Sequence, residues 1–493
     1  MSKSSANAQA LRWAITHLPD VAAQEDLRPP GPGRLYLPSS HKRALSLDTT
    51  VVVGMRGAGK SVWTAALFDA DARQRLVEEG ASQQLAVSHV LIGFSNDPSH
   101  GDHPDADTLQ NLLSKGIEAR YIWRGVLAKK CAAIASFPLP ADRYEALAVW
   151  SRDEPEAYGD LLGAVATALE QRGATLLLVF DSLDTVAPGS WKEVRALTRG
   201  ALELALACRP YSHLRFKFFL RPDMQEDDDI FAFRDSSKLL HSRIELAWRP
   251  VDLYALLFHI LAHGKEREAF IDLARDATGL PRAREGEIPR LLEAVCSHES
   301  NQRPLWEGLA GRYMGTNRRR GYTYTWLTGH LADAHGRIAP RSLLLALRKA
   351  AEITTEKYPH HETALHYEAI KRGVAEASDT RVQELGREDY PWVKPLLHQL
   401  RDCAVPVEID ELRNKWTSAV LRDVVKGSEK KLPPRRYALA SPGSRDVELL
   451  IDDLAELGVL YRTEDGRVNI PDIFRVGFGI RRKGGVRPPR PGH

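Results

Sequence analysis

The segment Gly54–Ser61, which reads GMRGAGKS, constrains the fold more than any other part of this sequence. It matches the pattern G-x-x-x-x-G-K-[ST], and it lies between an apolar run (TTVVVG) and a helical pattern (VWTAALFDAD). Glycines let successive backbone N–H groups turn inward around phosphate oxygens, and the helix that follows adds the positive end of its dipole. The pattern therefore predicts a phosphate-binding loop between a strand and a helix. The residues expected to surround the nucleotide are Gly54, Met55, Arg56, Gly57, Ala58, Gly59, Lys60, Ser61 and Val62.

Apolar, β-branched runs recur downstream and alternate with helical patterns as far as about Trp248. Such runs suit strands that are buried on both faces of a parallel sheet, and the helical patterns supply the crossovers. The sequence thus predicts an α/β fold, a P-loop NTPase parallel sheet with helices on both faces. The predicted strands span residues 49–54, 85–94, 175–181, 214–221 and 242–248.

The pattern changes twice after Pro250. Residues 251–400 show amphipathic helical patterns, which predict an α-helical lid or regulatory region. From about Val405, helical patterns lead to a predicted β-hairpin with Asp465-Gly466 at its turn, which is the order of elements in a winged-helix domain. The predicted organisation is an N-terminal approach segment, a P-loop core, the α-helical region, the winged helix and a basic tail, at residues 1–48, 49–250, 251–400, 401–480 and 481–493.

Metal binding is predicted from the apolar run that ends in Asp181 (LLLVFD). Ligands of open α/β sheets bind at the carboxyl ends of the strands, where an acid can hold Mg²⁺. Lys60 is expected to bridge the β- and γ-phosphates, and Ser61 and Asp181 are the expected Mg²⁺ ligands. An Asp in this position is also a common helix cap or turn residue.

The residues after Asp181 bear on hydrolysis. ATPases with an extra strand between the two motifs often carry a glutamate directly after the magnesium Asp, whereas this chain has Ser182. The next acid, Asp184, is a candidate base for activating water, and its alternative role is to cap the following helix. The sequence therefore does not predict fast hydrolysis.

Two arginines are candidates for sensing the phosphates. Arg221 is the last residue of the predicted strand 214–221, where a cation at the strand tip is placed to sense the γ-phosphate. Arg341 opens a helix in the α-helical region and can couple the nucleotide to closure of a lid. A surface salt bridge and a solvated helix arginine are the respective alternatives.

In the order of these motifs the chain resembles the STAND and KAP-like signalling ATPases, and it also resembles AAA+ ATPases of the origin-recognition type. The resemblance covers roughly residues 45–350, and it lies chiefly in the phosphate loop and in LLLVFDSLD. It implies an ATP- and Mg²⁺-dependent conformational switch, often oligomeric, in which Arg221 reads the γ-phosphate. The chain departs from many members at Ser182, and it lacks the inserted membrane helices that KAP proteins commonly carry.

Composition and charge narrow the partners. No stretch approaches the roughly 18 uncharged apolar residues of a membrane helix, and the spacing of the four cysteines fits neither a disulfide framework nor a zinc site, so a cytoplasmic location is expected. Residues 401–493 hold 18 Lys and Arg against 14 Asp and Glu. A DNA contact is possible through Arg462, Arg467 and the 481–493 tail, although the predicted helix 445–458 carries carboxylates that would repel phosphates.

A second basic segment, Asn317–Tyr322 (NRRRGY), interleaves arginines with aromatic residues. It could touch a nucleic-acid backbone, remain a solvated loop, or supply an arginine in trans at an interface. Three hypotheses for the whole chain follow. The first is an ATP-binding, ATP-hydrolysing, nucleotide-gated switch of a signalling or regulatory system, of which antiphage defence is one kind, acting as a homo-oligomer or with a protein partner. The second is a DNA-directed AAA+-like ATPase, and the third is a P-loop scaffold without turnover.

Overall fold

The computed structural model describes residues 3–19, 29, 31–97, 103–279, 292–293, 295–296, 298–428, 434–440 and 446–483. The chain divides into two compact units. One is Gln24–Ala247, and the other joins Met1–Ala23 to Trp248–His493. Most of the predicted basic tail lies outside the described residues. The five-part organisation predicted from the sequence stays a prediction.

The unit Gln24–Ala247 is built on a five-stranded parallel sheet. Its strands are β1 (Val51–Val53), β2 (Ser88–Phe94), β3 (Thr175–Phe180), β4 (Leu214–Leu220) and β5 (Ile244–Glu245), in the order β2-β3-β4-β1-β5. Its α-helices are Lys42–Leu45, Lys60–Phe68, Ala70–Glu78, Ala106–Ser114, Ala119–Cys131, Tyr144–Asp153, Pro155–Gln171, Trp191–Ala207, Pro222–Gln225, Asp228–Phe231 and Ser237–Leu240. The predicted α/β class is confirmed, and β4 lies between the phosphate-loop strand and the strand before Asp181.

The alternation of side chains along the strands separates two apolar clusters, one on each face of the sheet. Leu176, Leu178 and Phe180 of β3 belong to one cluster, whereas Leu177 and Val179 belong to the other. Helices cover both faces, as the continuous apolar runs predicted. The fifth predicted strand, 242–248, is wrong in length: only two residues of β5 pair with β1, its single neighbour, and β1 is itself only three residues long.

Lys217 is the exception to the apolar pattern of β4, and its side chain is fully buried. Its ammonium donates hydrogen bonds to the carbonyls of Ala44 (2.6 Å), Ser46 (3.0 Å) and Thr49 (2.7 Å). These carbonyls lie in the segment that leads into β1, so the lysine ties the approach to the phosphate loop to the centre of the sheet. Burial lowers the pKa of Lys217 to about 7.

We expect the Lys217→Met variant to lose a characteristic pH dependence of stability. Because the folded pKa lies below the unfolded value of about 10.4, the unfolded state binds more protons between these values, and stability rises with pH. The free energy of unfolding of the wild type should therefore gain up to about 1.4 kcal/mol per pH unit relative to Lys217→Met in this interval. Denaturant unfolding at pH values from 7.5 to 9.5 measures it, and identical slopes for the two proteins would contradict the assignment.

The second unit is mainly helical. The described α-helices before its C-terminal part are Lys3–Thr16, Pro250–Ala262, Arg267–Thr278, Glu299–Ala310, Thr323–Leu331, Pro340–Lys357, Tyr367–Gln383 and Val393–His398, with a π-helix at Glu384–Asp389. Within the described part of 251–400 the only β-pairing is an isolated bridge between Tyr313 and Tyr322, so the helical expectation is confirmed there. The N-terminal helix belongs to this unit, which the sequence did not indicate.

Arg12 fastens the N-terminal helix in place. Its guanidinium donates to the carbonyls of Pro359, His361, Thr363 and Ala364 at 3.0–3.2 Å. The side chain is buried, so these four acceptors replace the water that the guanidinium loses. Residues 3–16 are thus part of the helical unit rather than an irregular lead to the sheet.

The C-terminal part has the element order of a winged helix. Its helices are Ile409–Lys415, Ser418–Ser428, Arg435–Leu439, Val447–Glu456 and Asp472–Arg475, and its strands are β6 (Ala404–Val405), β7 (Tyr461–Arg462), β8 (Val468–Asn469) and β9 (Arg481–Arg482). β7 and β8 form the predicted antiparallel hairpin, and Gly466 adopts a φ of 82° in its turn. The helix Val447–Glu456 buries Val447, Leu450, Ile451 and Leu454, the spacing that the sequence predicted.

Candidate nucleotide-binding site

The phosphate loop begins at the carboxyl end of β1, the strand between β4 and the edge strand β5. The Gly54 N–H bonds the Leu220 carbonyl at 3.0 Å, which continues the pairing of β1 with β4. Gly57 and Gly59 then adopt φ values of 76° and 99°, a region that favours glycine. The helix Lys60–Phe68 begins directly after Gly59. The N-terminal N–H groups of this helix therefore open at the loop, as an anion site requires.

Lys60 lies inside the curve of this loop. Its ammonium donates to the carbonyls of Gly54 (2.8 Å) and Met55 (3.2 Å). Burial lowers its pKa, while the negative charges of Asp181 and Asp184 oppose that shift. The loop carbonyls thus hold the ammonium near these acidic groups and inside the loop that is expected to bind phosphate.

Asp181 and Ser61, the two predicted metal ligands, are neighbours. The Ser61 side chain hydrogen-bonds the Asp181 carboxylate, which also accepts the Ser182 N–H at 2.9 Å. Burial raises the pKa of Asp181, and the Ser61 hydrogen bond together with the charge of Lys60 opposes this. A hydroxyl and a carboxylate beside a phosphate loop are the hard oxygen ligands that Mg²⁺ accepts, so these residues fit the ion.

No larger metal centre is found among the described residues. They contain no group of three or more His, Cys, Asp or Glu side chains that could hold a metal ion. A site built from Ser61 and Asp181 leaves most of the octahedral positions of Mg²⁺ to phosphate and water, which is how this ion is usually held with nucleotides.

Ser182 occupies the position directly after Asp181, at which many ATPases carry a glutamate. It is one of the few non-glycine residues with a positive φ, at 56°. Its carbonyl accepts hydrogen bonds from the backbone N–H and the hydroxyl of Thr185, at 2.9 and 2.7 Å. This left-handed turn starts the 3₁₀ helix Leu183–Thr185, and so it directs Asp184.

Arg221 lies between two carboxylates at the end of β4. Its guanidinium contacts Asp184 at 3.1 Å and Asp223 at 3.0 Å, and all three side chains are at least three-quarters buried. The charge of Arg221 also contributes to the low pKa of Lys60. The predicted sensor and the predicted base are therefore joined in one ion pair, which the sequence did not indicate.

Two further residues join the loops at this edge and were missed in the sequence. The Thr185 hydroxyl also contacts the side-chain amide of Asn96, which follows β2. Asn96 follows the predicted strand 85–94. Because ligands of open α/β sheets bind at the carboxyl ends of the strands, this position could have marked Asn96 as a residue of the site.

Arg341 belongs to the other unit. It lies at the start of the helix Pro340–Lys357 and pairs with Glu384 at 2.7 Å. Its contact with nucleotide stays a prediction.

The arginines predicted to contact DNA in the winged helix are engaged in ion pairs. Arg462 pairs with Asp452 at 3.2 Å, and Arg467 bonds Asp465 next to it in the hairpin. Glu448 on the predicted recognition helix pairs with Arg413 at 2.8 Å. Arginines of the same domain thus offset part of the negative charge that the sequence placed against DNA, three of them facing the five carboxylates of residues 446–456.

In the described part of the chain, no helix is long and apolar enough to cross a bilayer.

Comparisons with known proteins give solved structures only, since no protein-family model and no curated protein matches the chain. The ORC2 protein of Aeropyrum pernix as ADPNP-ADP complexes is 12% identical, with 92% of this chain and 95% of that chain covered and a TM-score of 0.39. Its ADP form is 13% identical, with coverage of 94% and 93% and a TM-score of 0.31. Cdc6p from Pyrobaculum aerophilum is 11% identical, with coverage of 91% and 94% and a TM-score of 0.31. Because these TM-scores are below 0.5, we base the function on this chain's own residues.

We expect Asp181→Asn to remove most of the Mg²⁺ dependence of ATP affinity, because the amide keeps the shape of the side chain but not its charge. Titration of fluorescent ATP with Mg²⁺ and with EDTA measures this, and the two affinities should differ at least about tenfold in the wild type and little in the variant. Asp184→Asn is the matched control, since Asp184 pairs with Arg221, and it should keep the dependence. Equal Mg²⁺ dependence in Asp181→Asn and the wild type would contradict the assignment.

Proposed function

We propose that this chain is an Mg²⁺-dependent ATP-binding protein that hydrolyses ATP, an AAA+-type ATPase whose nucleotide state directs an action on DNA. One observation supports the nucleotide site most directly. Four side chains meet at one edge of the parallel sheet: Lys60, Ser61, Asp181 and Arg221. A phosphate loop, an oxygen-ligand pair and a strand-tip arginine together form the set of groups that phosphoryl transfer uses.

Binding is assigned to the loop and to the metal ligands. The N–H groups of the loop and of the first turn of the helix Lys60–Phe68 would hold the phosphate oxygens, and Lys60 would exchange its two carbonyl acceptors for them. Ser61 and Asp181 would hold Mg²⁺, which when bound neutralises the charge of the phosphates. These groups position the nucleotide, since catalysis of phosphoryl transfer depends on positioning and electrostatics.

Arg221 links the presence of a γ-phosphate to the availability of Asp184. A γ-phosphate competes with Asp184 for the guanidinium, because both are anions that accept its N–H groups. When Arg221 turns toward the phosphate, Asp184 loses its 3.1 Å partner and becomes available to accept a proton from water. The ion pair thus provides both the sensing step and the control of the base in one contact.

The DNA-directed form is favoured over the signalling switch by the charge arrangement of the winged helix. A bare acidic helix would repel phosphates, but Glu448, Asp452 and Glu456 are each paired with an arginine of the same domain. These pairs weaken the repulsion between this helix and DNA, since three arginines offset three of the five carboxylates in residues 446–456, whereas no contact in the described residues favours a signalling role. Retention on DNA that weakens steeply with salt is the expected signature.

Oligomerisation belongs to the same proposal, since AAA+-type sites are commonly completed by a neighbouring subunit. Light scattering after size exclusion, with and without ATP, reports the assembly directly. A chain that stays monomeric in both conditions would limit the proposal to a single-chain switch.

We expect Arg221→Ala to lose discrimination between ATP and ADP and to slow hydrolysis by about 10²-fold or more, since only ATP offers a γ-phosphate to the guanidinium. Arg215→Ala is the matched control, because Arg215 lies on the same strand at its other end and pairs with Asp48. Binding assays with both nucleotides and phosphate-release kinetics measure the two effects. Discrimination as large in Arg221→Ala as in Arg215→Ala would show that Arg221 is a structural salt bridge only.

A further inference from the structure

The segment Gly311–Thr323 of the helical unit forms a short, ordered turn that displays three consecutive arginines. It connects the helices Glu299–Ala310 and Thr323–Leu331, and no function described above uses it. We call it the arginine turn. Residues 308–332 contain no Asp or Glu, so the segment is locally cationic along the sequence as well.

Backbone hydrogen bonds hold the base of the arginine turn. The Met314 N–H bonds the Gly321 carbonyl at 2.9 Å, the Thr323 N–H bonds the Arg312 carbonyl at 3.0 Å, and Tyr313 and Tyr322 form an antiparallel bridge. Met314 is buried beneath the turn. The segment is therefore a fixed projection of the domain and not a solvated loop without structure.

The tip of the arginine turn is a 3₁₀ helix, Arg318–Arg320. The Asn317 side chain accepts the Arg319 N–H at 3.0 Å and so caps this helix. Successive residues of a 3₁₀ helix point about 120° apart, so the three guanidinium groups spread around the tip. All three arginines are exposed, and none pairs with an acid among the described residues.

Two aromatic side chains lie at the base of the arginine turn, where Tyr313 and Tyr322 form the antiparallel bridge. The rings of Tyr313 and Tyr322 lie 5.3 Å apart, and the Arg312 guanidinium lies over both rings at 5.5 and 5.8 Å. Arg312 is a fourth cation of the arginine turn, although it also lies 3.6 Å from Glu307. Unlike Arg462 and Arg467, the three tip arginines keep their charges uncompensated by neighbouring acids.

We infer that the arginine turn binds the phosphate backbone of a nucleic acid. Guanidinium groups on a rigid turn match phosphate oxygens with paired N–H donors, and the fixed backbone reduces the entropy lost on binding. Backbone contacts of this kind carry no base preference, so the turn contributes affinity and orientation, not sequence choice. The inference names the surface used in the DNA-directed action, and in that respect it rests on the proposed function.

The test compares Arg318→Ala/Arg319→Ala/Arg320→Ala with a control triple variant of equal charge change, Arg143→Ala/Arg172→Ala/Arg209→Ala, at exposed positions of the other unit. Fluorescence anisotropy with a labelled duplex and with its single strand gives the affinity over a range of salt concentrations. We expect the turn variant to bind about tenfold or more weakly and its log–log salt slope to shrink by up to about 3, while the control keeps the wild-type slope. Arg318→Ala/Arg319→Ala, which leaves Arg320 in place, should show an intermediate slope.

Equal salt slopes for the turn variant and the control would overturn the inference, provided that the wild type binds DNA. A wild type without affinity for either probe at low salt would overturn both this inference and the DNA direction, while ATP binding would still report on the nucleotide site. An alternative outcome is that the turn variant binds DNA normally but loses ATP hydrolysis, and that mixing it with Lys60→Ala restores activity. That result would assign the arginines to a neighbouring subunit's site and would likewise overturn the inference.

Discussion

The candidate site depends on the pairing of β4 with β1 on one side and with β3 on the other. Parallel strands end at the same edge of the sheet, and this insertion places the phosphate loop, Arg221 and Asp181 side by side although they are far apart in sequence. The buried apolar residues on both faces fix the register, since a slip by one residue would exchange the two faces. Lys217 adds a polar fastening on the same strand, at the segment that leads into β1.

Opposite charges lie close together at this edge, with two cations among three carboxylates. Lys60 and Arg221 face Asp181, Asp184 and Asp223, so each buried ion has an opposite charge close by. A nucleotide with its metal brings both signs of charge, and it can replace these internal partners without leaving an unpaired ion. Under the proposed function, the ion pair of Arg221 with Asp184 is the contact that a γ-phosphate would change.

The sequence predicted the parts of the site that a local pattern encodes. The loop Gly54–Ser61 and the apolar run before Asp181 are each a continuous stretch of sequence. The structure places each of them next to a strand, as the sequence predicted. The partner of Asp184 and the link from Thr185 to Asn96 could not be predicted, because they join loops that only the strand order brings together. The packing of the helix Lys3–Thr16 and the arginine partners of the acidic winged-helix residues were also not predicted, because their partners lie at other positions along the chain that no local pattern indicates.

The most direct test of the central claim is calorimetric titration of MgATP into the wild type and into Lys60→Ala. The loop geometry predicts that the wild type binds MgATP, and that Lys60→Ala loses most or all of this binding while it keeps the thermal unfolding transition of the wild type. MgATP affinity that is unchanged in a folded Lys60→Ala protein would contradict the assignment of Gly54–Ser61 as the nucleotide site.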